Sequence, residues 1–315
     1  MDTSEHERYF EIVKQTPERL TASLKGVPRK LLLWTPSPGK WSIQEIVCHM
    51  RDMERDAYIA RYRRILDEEN PTLKNIDGDA YALESEYRRM KLSDVLRDWK
   101  RLRKDTLKLL KSVKDEQWER AGVHETDGPL TLEIVLRRQA VGNDEAHLGQ
   151  IEHIKVRNQV LQKFEEGGKR IESEVRGVSE EVLRRKPSPG EWSIMEFLAH
   201  LADTEQVFLT RYVRIANADK PALAAVDSQE LAVKLRYNER DLTNTLKEFK
   251  RLRADTLTLL RALPQKSWQR TGIDAERGEI TIEGLAKVHT DHDSTHADEI
   301  RALKEKSGKA QTASA

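Results

Sequence analysis

The sequence predicts an all-α protein built as two tandem four-helix bundles. Three observations carry this: a domain-sized internal repeat, apolar residues recurring at helical spacing, and helix-start signals at matching places in both halves. The segment Pro36-Ser37-Pro38-Gly39-Lys40-Trp41-Ser42-Ile43 returns 151 positions later as Pro187-Ser188-Pro189-Gly190-Glu191-Trp192-Ser193-Ile194. Further along the offset is 150: Lys100-Arg101-Leu102-Arg103 recurs as Lys250-Arg251-Leu252-Arg253, and Trp118 as Trp268. Gly128, Thr131 and Glu133 recur as Gly278, Thr281 and Glu283, after which one more residue is lost and His147 aligns with His296. A period near 150 is the length of an ordinary domain rather than of a solenoid unit. The expected domains are residues 1–155 and 156–306, followed by a flexible tail over 307–315.

The first helix, about 5–25, carries Tyr9, Phe10, Ile12, Val13 and Leu20. Pro17 is expected to kink or restart it, because proline lacks an N–H and crowds the preceding turn. Its counterpart, about 157–176, is expected to break at Gly167-Gly168. The second helix opens with a capping box, Ser42 with Glu45 and Ser193 with Glu196, and runs to about Ile65 and Ile215. A long connection through Pro71, Ile76-Asp77 and Tyr87, matched by Pro221, Val226-Asp227 and Tyr237, suits a bundle whose helices are not all neighbours in sequence. The third helix, about 92–114 and 241–263, places Trp99, Leu102, Thr106, Leu109 and Val113 on one stripe. The fourth, about 131–155 and 281–305, carries the C-terminal histidines. Alternating strand patterns are scarce. Trp41, Trp118, Trp192 and Trp268 recur as pairs and read as core, while Arg101, Arg103, Arg251 and Arg253 read as a solvated basic stripe.

Among 315 residues, 55 Lys and Arg balance 54 Asp and Glu, so the net charge of +1 argues against nucleic acid or an anionic membrane as partner. Cys48 is the one cysteine, so no intrachain disulfide is possible and a reducing compartment is expected. The N-terminal residues lack the basic start and apolar run of a signal peptide, and no apolar run reaches the roughly eighteen residues of a membrane span. A cytoplasmic location is the expectation.

Chemistry concentrates in histidines. His292 and His296 are four apart on a predicted helix and share a face; His200 comes from the second helix. Three imidazoles can hold zinc, nickel or iron and leave a coordination position open, as catalytic sites do. The first half offers His49, Asn143 and His147, a degenerate set, because an amide oxygen is a poor ligand for borderline metals. His289 is a competing ligand, an outer-sphere residue or an exposed histidine, with Ala140 as its apparent counterpart. Asp203 and Glu205, matched by Asp52 and Glu54, are the candidate catalytic carboxylates; a structural ion pair with an arginine of a neighbouring helix explains them equally well. The sequence has no Gly-rich phosphate loop, no Ser-His-Asp pattern and no paired-cysteine site.

The Pro-Gly-x-Trp-Ser-Ile-x-Glu-x-x-x-His opening, the Trp-x-Arg-x-Gly turns at Trp118–Gly122 and Trp268–Gly272, the Gly-x-x-Thr step and the terminal His-Asp-x-x-His together resemble the DinB-like family, also called the DinB/YfiT-like metalloenzymes. The resemblance covers both halves. It implies four-helix bundles in which His200, His292 and His296 hold a divalent metal, zinc or nickel. It also implies a small-molecule reaction, a thiol S-transfer using a low-molecular-weight thiol or a hydrolysis, carried by the C-terminal domain. A non-catalytic metal-binding or interaction module is the alternative. Family members pair as homodimers, so the tandem chain is expected to form that pair internally as a pseudo-dimer and to be a monomer or weak dimer.

Overall fold

Both capping boxes form as their spacing predicts. The Ser42 N–H donates to Glu45 Oε2 at 2.8 Å while Ser42 Oγ accepts from the Glu45 N–H at 3.4 Å; Ser193 and Glu196 repeat the exchange at 2.8 and 3.2 Å. These contacts come from a computed structural model that describes residues 5–37, 39–84 and 86–313, and their side chains except 83, 84 and 308–313. Pro38 of the repeated segment and the tail's Ser314 and Ala315 lie outside the described residues.

The chain divides into Met1–Val156 and Arg157–Ala315. The first unit contains α1 (Glu5–Leu24), α2 (43–67), α3 (Leu92–Leu110) and the first part of α4 (132–175). The second contains the remainder of α4, α5 (Ile194–Asn217), α6 (Leu242–Ala262) and α7 (Ile282–Ala313), so α7 extends through most of the expected tail. Each unit is a four-helix bundle. No described helix is long and apolar enough to cross a membrane.

Two expected helix breaks are absent. Pro17 sits inside a continuous α1, and the carbonyl that its missing N–H would have served, Val13 O, accepts instead from Arg103 Nη1 at 2.7 Å. Gly167 and Gly168 lie within the unbroken helix Ala146–Val175, next to Asp293 and Arg253 at ordinary contact distance.

Changes of repeat offset coincide with changes of helix type. Glu54 and Glu205 are 151 apart but Tyr58 and Phe208 are 150 apart, so the first unit carries one extra residue between them. There α2 passes from Ile43–Asp52 through a π-helical segment, Met53–Tyr58, to Ile59–Asp67. The second extra residue falls in α4, where Arg138–Glu145 is π-helical. Both α5 and α7 are α-helical throughout. A one-residue insertion absorbed as a π-bulge keeps the residues on either side facing the core.

Short strands that the sequence pattern did not reveal close one end of each bundle. β1 (Thr72–Leu73) pairs in parallel with β2 (Ala121–His124), which pairs antiparallel with β3 (Gly128–Thr131); β4 (Ala222–Leu223), β5 (Thr271–Asp274) and β6 (Gly278–Thr281) repeat this. The Trp-x-Arg-x-Gly turn enters this sheet. Arg120 caps the end of α2 by donating to Ile65 O and Glu68 O, and Arg270 caps α5 through Ile215 O and Ala218 O. A Cβ on Gly272 would lie 2.9 Å from Ile215 Cγ1, so glycine permits the strand to pass the helix end. Thr131 and Thr281 then cap the fourth helix of each unit through their hydroxyls.

The arginine stripe splits. Arg101 and Arg251 are exposed, but Arg103 and Arg253, two residues on and so on the opposite helix face, are buried. Arg103 binds Glu54 and Asp144; Arg253 binds Glu205 and Asp293. Of the recurring tryptophans, Trp118 and Trp268 are core, as expected, whereas Trp41 and Trp192 are only partly buried.

Cys48 is fully buried in the first unit with Sγ 3.8 Å from Tyr87 O, and burial pushes its thiol up to about 12. The native protein at pH 8 is therefore expected to leave a thiol-reactive chromophore unreacted until denaturant is added; stoichiometric labelling within minutes would contradict this. Because the folded thiol holds its proton where the unfolded one loses it, near 9, stability falls as pH rises from about 9 towards 12.

Candidate metal centre

His200 stands on α5 six residues after its Ile194 start, and His292 and His296 stand one turn apart on α7. The structure brings all three together. His200 Nε2 lies 2.9 Å and His296 Nε2 3.1 Å from His292 Nε2, and the three rings offer ligand atoms within 4.8 Å of one another. Nitrogens bound to one tetrahedral zinc would be about 3.3 Å apart. Burial and the neighbouring His292 and His296 pull His200 down to about 3; burial and His292 also lower His296. Both are thus neutral, the form that ligates. A single shared proton can join two of these nitrogens but never all three, whereas a cation among them satisfies every lone pair, so the donor set fits a divalent ion.

Around the triad, Trp192 packs 4.9 Å from His200 and Phe197 5.3 Å from His296, ring centre to ring centre. His200 Nδ1 lies 3.3 Å from Thr204 Oγ1, and His296 Nδ1 lies 2.5 Å from Glu299 Oε2. The three histidines line a cavity of about 980 Å³ between α5, α7 and the connection after β4, whose walls include Trp192, Phe208, Val226 and Arg211. Trp192 therefore lines the site while also packing on the Ala199, Ala232 and Tyr237 cluster; its indole N–H donates to Gln229 at 3.1 Å.

The two candidate carboxylates do not line this cavity. Asp203 receives both Arg240 guanidinium nitrogens at 2.8 and 2.9 Å and the Tyr237 hydroxyl at 2.8 Å, tying down the long connection. Asp52 does the same for Tyr87 at 2.7 Å in the unit without the triad, so this contact serves the bundle. Glu205 is fully buried on Arg253, with His289 Nε2 3.2 Å away.

His289 lies outside the group of three and is not exposed. It is 1% exposed and stacked 3.9 Å on Phe208, with Nδ1 3.3 Å from the Tyr212 hydroxyl. Its counterpart is Gln139, not Ala140: Gln139 accepts from Tyr62 at 2.7 Å and donates to Glu54 at 2.8 Å, reproducing the Tyr212–His289–Glu205 chain. The second offset change therefore falls after His289 rather than directly after Glu283, within the π-helical stretch of α4.

In the first unit His49 and His147 keep the same relation, ring centres 5.0 Å apart against 4.9 Å for His200 and His296. Asn143 is buried between them in sequence position, its amide N–H donating to Asp144 at 3.1 Å. Burial and His147 lower His49 to about 4. Among the described residues, the one group of three or more metal-ligating side chains is the triad of the second unit.

Three imidazoles of a helical bundle thus converge at the wall of an open cavity, a group that could hold a metal ion. A family model described as the DinB superfamily matches residues 12–151 and again 163–300, so the chain belongs to that superfamily through both units. A relative from Bacillus subtilis (strain 168), named "Putative metal-dependent hydrolase YfiT", is 24% identical over 136 residues, covering 43% of this chain and 74% of the relative. A similarly named protein of Bacillus cereus (strain B4264) is 27% identical over 129 residues, 41% of this chain and 73% of its own length. The solved structure of YfiT from Bacillus subtilis, described as a probable metal-dependent hydrolase with an unusual four-helix bundle topology, aligns with TM-score 0.42 at 22% identity over 46% of this chain and 85% of that one.

Proposed function

We propose that the second unit is a metal-dependent hydrolase acting on a small molecule, with the ion held by His200, His292 and His296. The observation that carries this reading is the meeting of three imidazole Nε2 atoms at the wall of an open cavity, where a buried structural ion would be sealed off. A divalent ion there supplies Lewis acidity, polarising a substrate oxygen and making water more acidic. The chain's own residues do the rest. Trp192, Phe197 and Phe208 give the cavity apolar surfaces against which a substrate can be oriented. Arg211, which donates to Ala224 O at 2.7 Å and lies 3.5 Å from the buried Asp274 carboxylate, adds a paired charge to the wall nearer the sheet.

The relatives' names favour hydrolysis over thiol S-transfer. The test is metal analysis and assay of the purified chain and of His292→Ala. The unaltered protein is expected to hold about one ion per chain and to hydrolyse members of a panel of small esters and amides, both lost in the variant. An ion content that survives His292→Ala would sink the assignment. Conjugation of a low-molecular-weight thiol to an electrophile without any hydrolysis would replace hydrolase by transferase.

A further inference from the structure

We propose that Glu299 is a positioning residue for the metal, fixing His296 in the tautomer and orientation that present Nε2 to the ion; this rests on the metal reading above. Glu299 follows His296 by three residues on α7, so the two side chains share a helix face. Its Oε2 lies 2.5 Å from His296 Nδ1, the shortest contact made by any of the three histidines. An ionised carboxylate only accepts hydrogen bonds, so the proton sits on Nδ1 and the lone pair on Nε2, which points at His292 Nε2 3.1 Å away.

The first unit is the internal comparison. There the residue three beyond His147 is Gln150, with Oε1 3.1 Å from His147 Nδ1. An amide can turn over and donate instead, which would place the lone pair on Nδ1 and the proton on Nε2, the form that cannot ligate through Nε2. The half that lacks the third histidine thus has an amide, not a carboxylate, behind its second one. A carboxylate behind an imidazole further strengthens it as a donor to a cation.

The deciding measurement is zinc affinity of the full chain, by competition with a chromophoric chelator, for the unaltered protein, Glu299→Gln and Glu299→Asp. Glu299→Gln installs the first unit's own residue, and because the Glu299 side chain is 46% exposed the bundle should tolerate it. Zinc binding is expected to weaken about 10- to 100-fold at unchanged stoichiometry, with partial recovery in Glu299→Asp. Nitrogen-15 spectra of the metal-free protein should show His296 protonated at Nδ1 and a mixture of tautomers in Glu299→Gln. An affinity within twofold of the unaltered protein, with the same His296 tautomer, overturns the proposal while leaving the metal site standing. Failure of the unaltered chain to bind zinc at all overturns the metal reading and this proposal together.

Discussion

Asn143→His is expected to raise the metal content of the chain from about one ion to about two. His49 and His147 already stand as their counterparts do, with rings inclined at 78° against 88° for His200 and His296. The missing element is one imidazole at a buried position beside Asp144. Restored metal should nevertheless bring no second active site. A Cβ on Gly78 would lie 2.7 Å from His49 Cε1, so the start of the helix Gly78–Glu84 rests on that ring, whereas the equivalent Ser228 borders the cavity of the second unit. Metal analysis with activity assayed on Asn143→His and on Asn143→His combined with His292→Ala separates the two sites. Retention of about one ion in the folded single variant and none in the double would show that the π-helical backbone of α4 cannot deliver a third ligand.

The fold was legible because its signals are local and appear twice. Ser42 and Glu45 declare a helix start whatever they pack against, and the same pair at Ser193 and Glu196 confirms the frame. The triad was legible because two of its members are one helical turn apart, and because Asn143 marks what the other half lacks. What could not be read depends on tertiary contact. Arg103 and Arg253 share a sequence stripe with exposed arginines, and only the buried carboxylates across the bundle distinguish them. Strands of two to four residues are too short to alternate visibly. Asp203 and Glu205 attract notice by their closeness to His200 in sequence, yet their partners lie on other elements. One signal was available: both carboxylates recur in the half without a triad, as structural groups must and catalytic groups need not. Glu299 could have been noticed the same way, since its counterpart is an amide.

Arg253→Met is expected to destabilise the second unit by about 3–5 kcal/mol, because it leaves Glu205 and Asp293 buried without their cation. For a unit of this size that lowers the melting temperature by roughly 10 °C. Arg251→Met, two residues earlier, removes an exposed pair with Asp255 and should cost under about 1 kcal/mol. Comparable losses in the two variants would refute the division of the stripe into a buried and a solvated arginine. Acid adds a second readout. Burial alone would raise Glu205, but His289 and then Arg253 hold it at about 2, against an ordinary value of 4.5. A carboxyl lowered on folding stabilises the protein above its unfolded value and loses that contribution as pH falls from about 4.5 towards 2. Asp293 is lowered as well: burial opposes its ionisation, and the neighbouring Arg253 guanidinium outweighs that. The unaltered second unit should therefore lose stability steeply through this window. Without Arg253 the two carboxyls take up protons at higher pH and lose their penalty for burial, so the gap between variant and unaltered protein should narrow as the solution is acidified. Denaturant titrations at pH 7 and pH 4, with hydrogen exchange followed in α5, α6 and α7, measure both the size of the loss and its dependence on pH. A gap that stays constant would mean that Arg253 acts through packing against Phe164 and Phe249, over whose rings its guanidinium lies at 5.2 and 4.9 Å, rather than through charge.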